Sequence, residues 1–547
     1  MTLLAVVLGA AACRPQGTPS PSGGSSDAPS GAPSLAPSGA SSGEPTAAPV
    51  RRSGGFSVGL EYGVPGLAAA SALTGAHRAK PALEFGVWGN IEPREGERDW
   101  APLDNLVAEY QAAGFLDLQL IISADSPWAA RTPKRDPMPQ DRYLDAYADF
   151  VGAFVERYDG DGSGDAPGLL APVHEYGIER EFTGFWPPSA VDYLRLLRTA
   201  TPAVRAADPE AQVLLVAIMA IDVFDGNPGL EEADERWSID RPFRHSRSDI
   251  EAILSACDDY DIVDVHALGD ATELVSTLAW IRVQLLEADC YPRPIWIGDA
   301  FPMSPLVAFD VRPFHPATAD DRDAVVRWLG AVADPGDVDH ATAMAWLERE
   351  MAISVARKVA VARLAGADGI NIGNLEDWAT GIAPADRLLV AGVGTAVYGG
   401  IQDRTVTLRS PGGSLPYEGQ FFSRLREAGD PRPALRALEL LIPAVEGPSS
   451  TIRIGWGDPD IWVVRFEFER STATTWVAWL DDERLHLPGD AEPAAVRVLV
   501  ETGVPSVLVG TVPVERSGGA VERVEMAAPG GVLEIDVGRV PVVITAP

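Results

Sequence analysis

The chain has 547 residues, 46% of them hydrophobic and 22% charged, and 78 acidic residues against 44 basic ones give a net charge of −34. That is enough chain for two or three domains with substantial cores, in a composition typical of globular proteins. The acidic surplus excludes a phosphate-neutralising nucleic-acid binder and disfavours electrostatic docking on anionic lipid.

The elements begin with a targeting pattern. Leu3 to Ala12 is a short apolar run that ends in small residues directly before Cys13. Residues 1–13 therefore read as a lipoprotein-type signal with Cys13 as the lipidated residue, although no Lys or Arg precedes the run. A truncated ordinary secretory signal is the alternative. Residues 14–52 are rich in Ser, Pro, Gly and Ala, cannot bury a core, and read as a disordered tether. No later run is long and apolar enough to span a bilayer. Membrane contact is expected only through the lipid, and the location is extracytoplasmic or secreted. The remaining cysteines, Cys257 and Cys290, show no zinc or redox spacing. They could pair in an oxidising compartment, but two buried free thiols are the preferred reading.

From Phe56 onward, short apolar runs alternate with amphipathic helices. Strands are expected at Phe56–Tyr62, Ala82–Trp88, Asp117–Ser123, Val173–Glu181, Gln212–Ala220, Ile262–His266, Pro294–Gly298 and Asp368–Asn374. Helices are expected between them, for example at Leu103–Ala113, Tyr143–Tyr158, Ala190–Ala207 and Glu273–Leu286. Eight near-continuous apolar strands alternating with helices predict an α/β fold, a (β/α)8 TIM barrel, over 53–440. Past Arg432 one more helix appears, and then short alternating strands with Gly, Pro and Asp turns. These predict a C-terminal all-β sandwich domain over 441–547.

The fourth strand carries the chemistry. In Tyr176-Gly177-Ile178-Glu179-Arg180-Glu181, alternation places positions 177, 179 and 181 on one face, with Glu181 at the barrel mouth. A glutamate at that rim suits general-acid catalysis at a glycosidic oxygen. The reaction needs a second carboxylate across the sugar, and Asp299, ending the seventh strand in IWIGDAF, is the candidate.

These segments, with VWGNIEPREGERDWAPLDNLV, SADSPWA, VDVHAL and RPIWIGDAF taken in order, resemble glycosidases of the (β/α)8 clan. The similarity is nearest to family 39 β-xylosidases and their relatives, including the closing sandwich, over roughly residues 56–547. The resemblance implies that Glu181 is the acid/base and that position 299 holds the nucleophile. It also implies site roles for Trp128 and His266. Two positions depart from the family pattern. Arg180 stands where the family has an Asn that bonds the sugar 2-hydroxyl. Arg there is able to reach a hydroxyl, to lower the Glu181 pKa, or to bind a uronic acid in a bidentate fork. Asp299, or Gly298 depending on alignment, stands in place of the Glu of the strand-7 pattern kPiwitE. One methylene shorter, it sits about 1 Å back, a displacement able to cost around 100-fold. Three readings of Asp299 stand open: a retuned nucleophile, a base in an inverting site, or a relic.

Trp88, Trp128, Trp186 and Trp378 are candidate stacking platforms for sugar rings, with core packing as the alternative. Trp128 and Trp378, at strand ends, are the better placed. Glu179, Arg180 and His266 complete the candidate substrate-binding set. Glu376 and Asp377 read as loop acids. Asp159, Asp161 and Asp165 mimic the start of a calcium loop, but Leu170 stands where the closing Glu belongs, and a turn with solvated acids is the preferred reading. The expected activity is hydrolysis of O-glycosidic bonds in an extracellular oligo- or polysaccharide, with no cofactor and no nucleic-acid partner. A non-catalytic carbohydrate-binding surface lipoprotein is the rival reading, and a structural surface protein is a third.

Overall fold

The computed structural model describes residues 55–182, 186–220, 223–239, 245–267, 269–300, 336–373 and, with short interruptions, 431–547, along with scattered residues of 324–331 and strand fragments between 380 and 425. The barrel strands are β1 Ser57–Gly63, β2 Arg78–Pro81, β3 Asp117–Ile122, β4 Glu175–Ile178, β5 Gln212–Leu214, β6 Val263–Ala267, β7 Ile295–Ala300 and β8 Gly369–Ile372. They form one parallel sheet in the order β5-β4-β3-β2-β1-β8-β7-β6. Bridges Leu214 to Ile262 and Ile218 to Val265 join β5 to β6 and close the barrel.

The strands obey a period of two. Val58, Leu60, Ala79, Leu118, Leu120, Tyr176, Val263, Val265, Ile295 and Ile297 are buried in the core that the outer helices share. The intervening positions face the barrel interior, where TIM barrels pack side chains in layers. Here that interior is largely polar. Arg78 and Gln119 both donate to Glu175, Asn371 donates to Gln119, and the same Asn371 amide reaches the Gly298 carbonyl. Strands first read as near-continuous apolar runs are therefore apolar on the helix side and polar on the inside.

The helices are α1 Ala101–Ala112, α2 Leu144–Glu156, α3 Ala190–Ala207, α4 Leu230–Trp237, α5 Arg247–Leu254, α6 Glu273–Glu287, α7 His340–Leu364 and α8 Pro433–Val445. In α3, Tyr193, Leu196, Leu197, Ala200, Thr201 and Val204 are buried at helical spacing, and the Ser189 side chain caps the Asp192 amide. Tyr193 also ties two strand ends together: its hydroxyl donates to the Ile178 carbonyl and accepts from the Val216 amide.

The second strand is shifted from expectation. It occupies Arg78–Pro81, while Leu83–Gly86 forms a 3-10 turn and Trp88–Ile91 a short helical turn. The apolar run ALEFGVW forms these turns instead and meets the end of β3 where Val87 bridges Ser123 in parallel, and the shorter, polar RAKP supplies the barrel strand. Cys257 and Cys290 are also not free thiols. Cys257 follows α5 and Cys290 follows α6, which brings their Cα atoms to 5.8 Å and joins them in a disulfide.

The C-terminal domain packs a six-stranded antiparallel sheet against a two-stranded one over a core that includes Val463, Trp476, Val498, Val507, Leu533 and Ile544. Its other surface meets the barrel through α7 and α8, and Trp462, Phe466, Val477 and Trp479 belong to the same continuous core as the barrel. Helix α7 is buried along most of its 25 residues. It carries Glu348, paired with Arg516 at 2.6 Å and Arg432 at 3.1 Å, and Glu350, paired with Arg539 at 2.7 Å. A buried carboxylate stripped of such a partner costs about 3–5 kcal/mol, so these arginines are required once α7 is buried. No helix among the described residues is long and apolar enough to cross a membrane.

The disulfide spans a sequence separation of 33 residues, for which loop entropy gives about 3–4 kcal/mol. Reductant is expected to lower the melting temperature of the native protein by several degrees and to leave a Cys257→Ser/Cys290→Ser variant unmoved. Equal shifts in both would show that the bridge contributes nothing.

Candidate active site

The site is built around an ammonium group. Lys80, on the interior face of β2, lies 3.4 Å from Asp264 Oδ2 on β6, 3.4 Å from Glu61 Oε2 on β1 and 3.3 Å from the Gly298 carbonyl on β7. All three side chains are almost fully buried. Burial alone would strip the lysine of its proton, but Asp264, Glu61 and Asp299 outweigh that and hold it charged, above its ordinary range. Glu61 is pushed well up by burial, and by Asp299 and Asp264, against the pull of Lys80. In this crowd Lys80 keeps its proton and Glu61 is drawn toward its neutral form.

Gly298 makes the Asp264 position available. A Cβ at 298 would fall 2.1 Å from Asp264 Oδ1, and the Gly298 amide instead donates to that oxygen at 2.9 Å. At the same point the register slips: Val265 faces Ile297, but His266 faces Asp299, so β7 carries one extra residue against β6. The same extra residue appears against β8, where Ile370 faces Ile297 and Ile372 faces Ala300. Such a bulge re-aims a side chain. Trp296 and Gly298 point inward, so Asp299 would point outward without the slip.

Above this layer, His266 Nε2 lies 3.5 Å from Lys80 Nζ, while its Nδ1 lies 2.6 Å from Glu181 Oε1. The His266 pKa is lowered by burial and by Lys80, but hydrogen bonding and charge from Glu181, with Asp264, raise it overall. Glu181 follows β4 and is bridged to Ala217 beyond the end of β5. Asp299 is 9% exposed, and among the described residues its Oδ1 has no hydrogen-bond partner. Burial pushes its carboxyl up to about 6, with Glu181 and Asp264 adding to the shift and His266 and Lys80 opposing it.

The structure thus brings Glu181, His266 and Asp299 together at the carboxyl ends of the strands, where TIM barrels carry their sites. Glu179 is not with them. Strand β4 ends at Ile178, and Glu179 has φ of 71°, which breaks the expected alternation of 177, 179 and 181. Its carboxylate instead accepts from the Ala124 amide at 2.6 Å and the Ser123 hydroxyl at 3.1 Å at the end of β3. Burial pushes it up to about 7. Arg180 is half-buried, and its carbonyl accepts from the Ala217 amide at 3.2 Å.

Trp88 is not a sugar platform. It is fully buried, its ring is packed by Trp128, Tyr147 and Phe150, and its Nε1 donates to Glu92. Trp186 is also a core residue, donating to the Ser189 carbonyl. Trp128 remains half-buried against Trp88 and Tyr143, its Nε1 anchored on the Glu92 carbonyl. Trp378, Glu376 and Asp377, like Cys13 and the tether, lie outside the described residues. Asp159, Asp161 and Asp165 do converge, with carboxylate oxygens within 4.8 Å of one another. Sequence reading missed Lys80, Glu61 and Asp264. The available signals were period-two placement in FSVGLEY, RAKP and VDVHA and the rarity of lysine, of which the chain has only three: Lys80, Lys134 and Lys358.

No protein-family model matches the chain, and no curated protein matches it. Solved structures do. A family 39 glycoside hydrolase from the gut symbiont Bacteroides cellulosilyticus WH2 matches with a TM-score of 0.55 at 13% identity, over 90% of this chain and 81% of that one. A monomeric beta-xylosidase from Caulobacter crescentus CB15 matches at 0.51 and 13% identity, over 91% and 97%. A glucosidase from Croceicoccus marinus matches at 0.52 and 10% identity, over 90% and 95%. The fold is that of family 39 and related glycoside hydrolases of the (β/α)8 clan, barrel and sandwich together.

The raised Asp299 pKa has a sign that stability measurements can read. The folded state holds the Asp299 proton up to about pH 6, whereas the unfolded chain releases it near the ordinary 3.8. Stability contributed by this group is therefore present below about pH 4 and is lost as pH rises through 6. Asp299→Asn, which mimics the protonated form, should melt higher than the native protein above pH 6, and the gap should close below about pH 4. A gap that widens toward acid would mean that burial does not govern this group.

Proposed function

We propose that the protein is a glycoside hydrolase that cleaves O-glycosidic bonds of an extracellular oligo- or polysaccharide, with Glu181 and Asp299 as its two carboxylates. The observation that carries this reading is the placement of both carboxylates beside His266 at the barrel mouth, Glu181 by hydrogen bond and Asp299 by register. Two carboxylates flanking one bond suffice for this chemistry: one passes a proton to the leaving oxygen and the other meets the anomeric centre or its water. No cofactor is needed. The β-bulge at Gly298 and Asp299 supports the reading, because it turns a side chain toward the mouth that strand alternation would have hidden. The similar structures are glycoside hydrolases, which supports the same class at the level of fold.

A screen with activated aryl glycosides of both anomeric configurations tests it. Turnover of at least one substrate is expected, with Glu181→Gln and Asp299→Asn each lowering kcat/KM on unactivated glycosides by about 100-fold or more. The second reading, a carbohydrate-binding surface protein, is favoured by Arg180 beside Glu181 and by the 2.6 Å contact that holds Glu181 against His266. Retained glycan binding with no turnover on any sugar would select it.

The same proposal places the protein outside the cytoplasm, tethered through a lipid on Cys13, with carbohydrate as its ligand and no nucleic-acid partner. The Cys257–Cys290 bridge supports this location, because such bonds persist in oxidising compartments. Intact mass of the mature protein should show a diacylglyceryl adduct on Cys13, and an unmodified thiol there would remove the anchor.

A further inference from the structure

We infer that Lys80 is a positioning residue for Glu181: its ammonium occupies the Nε2 lone pair of His266, and the ring so held presents Nδ1–H to Glu181 Oε1 and leaves Oε2 to carry the acid/base proton. The role of Glu181 rests on the hydrolase reading above, whereas the state of the ring rests on the buried cluster alone.

An ammonium has three hydrogens and no lone pair. Among the described residues, Lys80 Nζ has three hydrogen-bond partners: Asp264 Oδ2 at 3.4 Å, the Gly298 carbonyl at 3.3 Å and His266 Nε2 at 3.5 Å. Glu61 Oε2, also at 3.4 Å, adds its charge. One hydrogen is thus available for each partner, and toward a donor-only group Nε2 must be the acceptor. Asp264 does not compete for that nitrogen. Its Oδ2 lies 3.9 Å from Nε2, beyond hydrogen-bond reach, and already accepts from Lys80. The hydrogen of the neutral ring therefore sits on Nδ1, 2.6 Å from Glu181 Oε1. The other tautomer would set hydrogen against hydrogen at Lys80 and lone pair against carboxylate at Glu181.

A second proton on the ring has to enter at Nε2. Lys80 opposes it, while Glu181 after β4 and Asp264 on β6 favour it. Asp299 on β7 is in register with His266 and interacts with its charge, and Glu61 on β1 acts on Lys80. The state of the ring decides what Glu181 can do. Beside a neutral donor its Oε2 is able to take a proton, whereas beside an imidazolium it is held as carboxylate. With Oε1 engaged by the ring, the proton given to the departing oxygen leaves from Oε2, and the bonding pair stays there.

Heteronuclear NMR of the histidine rings tests this without substrate, with the His266 signals assigned by their loss in His266→Gln. At a pH above the titration of the ring, Nδ1 should carry the hydrogen and Nε2 should be bare. A hydrogen on Nε2 in the native protein at that pH overturns the inference. Lys80→Arg keeps a donor-only cation and should leave the ring as it is. Lys80→Met should carry a hydrogen on Nε2 at a pH where the native ring does not. Lys80→Gln keeps a polar partner for Asp264 and offers Nε2 an acceptor, so it should show the same change even where Lys80→Met does not fold. An Nε2 that stays bare in these two variants also overturns the inference. Kinetics read the consequence. Lys80→Met should lower kcat on a methyl glycoside by about 10- to 100-fold with KM nearly unchanged. It should spare a 2,4-dinitrophenyl glycoside, whose departure needs no proton. Equal losses on both substrates would mark Lys80 as structural and overturn its link to Glu181. If the native protein hydrolyses no glycoside, the hydrolase reading fails, and the ring spectra still decide what Lys80 does to His266.

Discussion

One buried cation organises the inside of this barrel. Lys80 is 3% exposed, and an ammonium that deep is tolerable only if carboxylates and carbonyls surround it. Glu61, Asp264 and the Gly298 carbonyl do so, from β1, β6 and β7. The rest of the site follows. Asp264 lies over position 298 and demands glycine there. Lys80 also faces Nε2 of His266, which orients the other ring nitrogen toward Glu181. A cation placed to satisfy acids thereby fixes which atom of the ring faces a carboxylate at the mouth.

Where the chain departs from the clan pattern, the departures are linked. The strand-7 pattern kPiwitE has threonine where this chain has Gly298 and glutamate where it has Asp299. A threonine Cβ would strike Asp264, so the glycine and the buried aspartate belong together. The shorter Asp299 then sits at a bulge, level with His266 and above the layer that contains Asp264 and Glu61. Its chemistry is set by those neighbours as much as by its own side chain.

The overall architecture was legible because apolar strands and amphipathic helices impose different periods. Ala190–Ala207 was read at its observed bounds, and the eight-strand count holds because each strand has an apolar outward row. Strand β2 was misplaced because RAKP has two charged residues in four and ALEFGVW is far more hydrophobic. Propensity favoured the wrong segment, and tertiary packing decided. Glu181, His266 and Asp299 come together because strand ends in a barrel converge whatever the loops do. Glu179 was misread because a left-handed φ, invisible in a glutamate codon, ends the alternation one residue early. Trp88 was misread because an indole ring suits a core as well as a sugar. The disulfide stood only as the alternative to free thiols because the proximity of two helix ends is a property of the closed barrel alone.

Helix α7 carries a consequence for how such proteins change over time. Its Glu348 and Glu350 lie at the junction of the two domains, and the cations that neutralise them include Arg516 and Arg539 from the sandwich. The sandwich is therefore not a module that recombination can exchange freely. A replacement lacking arginines at these two places would leave Glu350 without Arg539 and Glu348 with Arg432 alone, and the barrel would inherit the defect. Each half is thus held to the other by charges that reside across the junction.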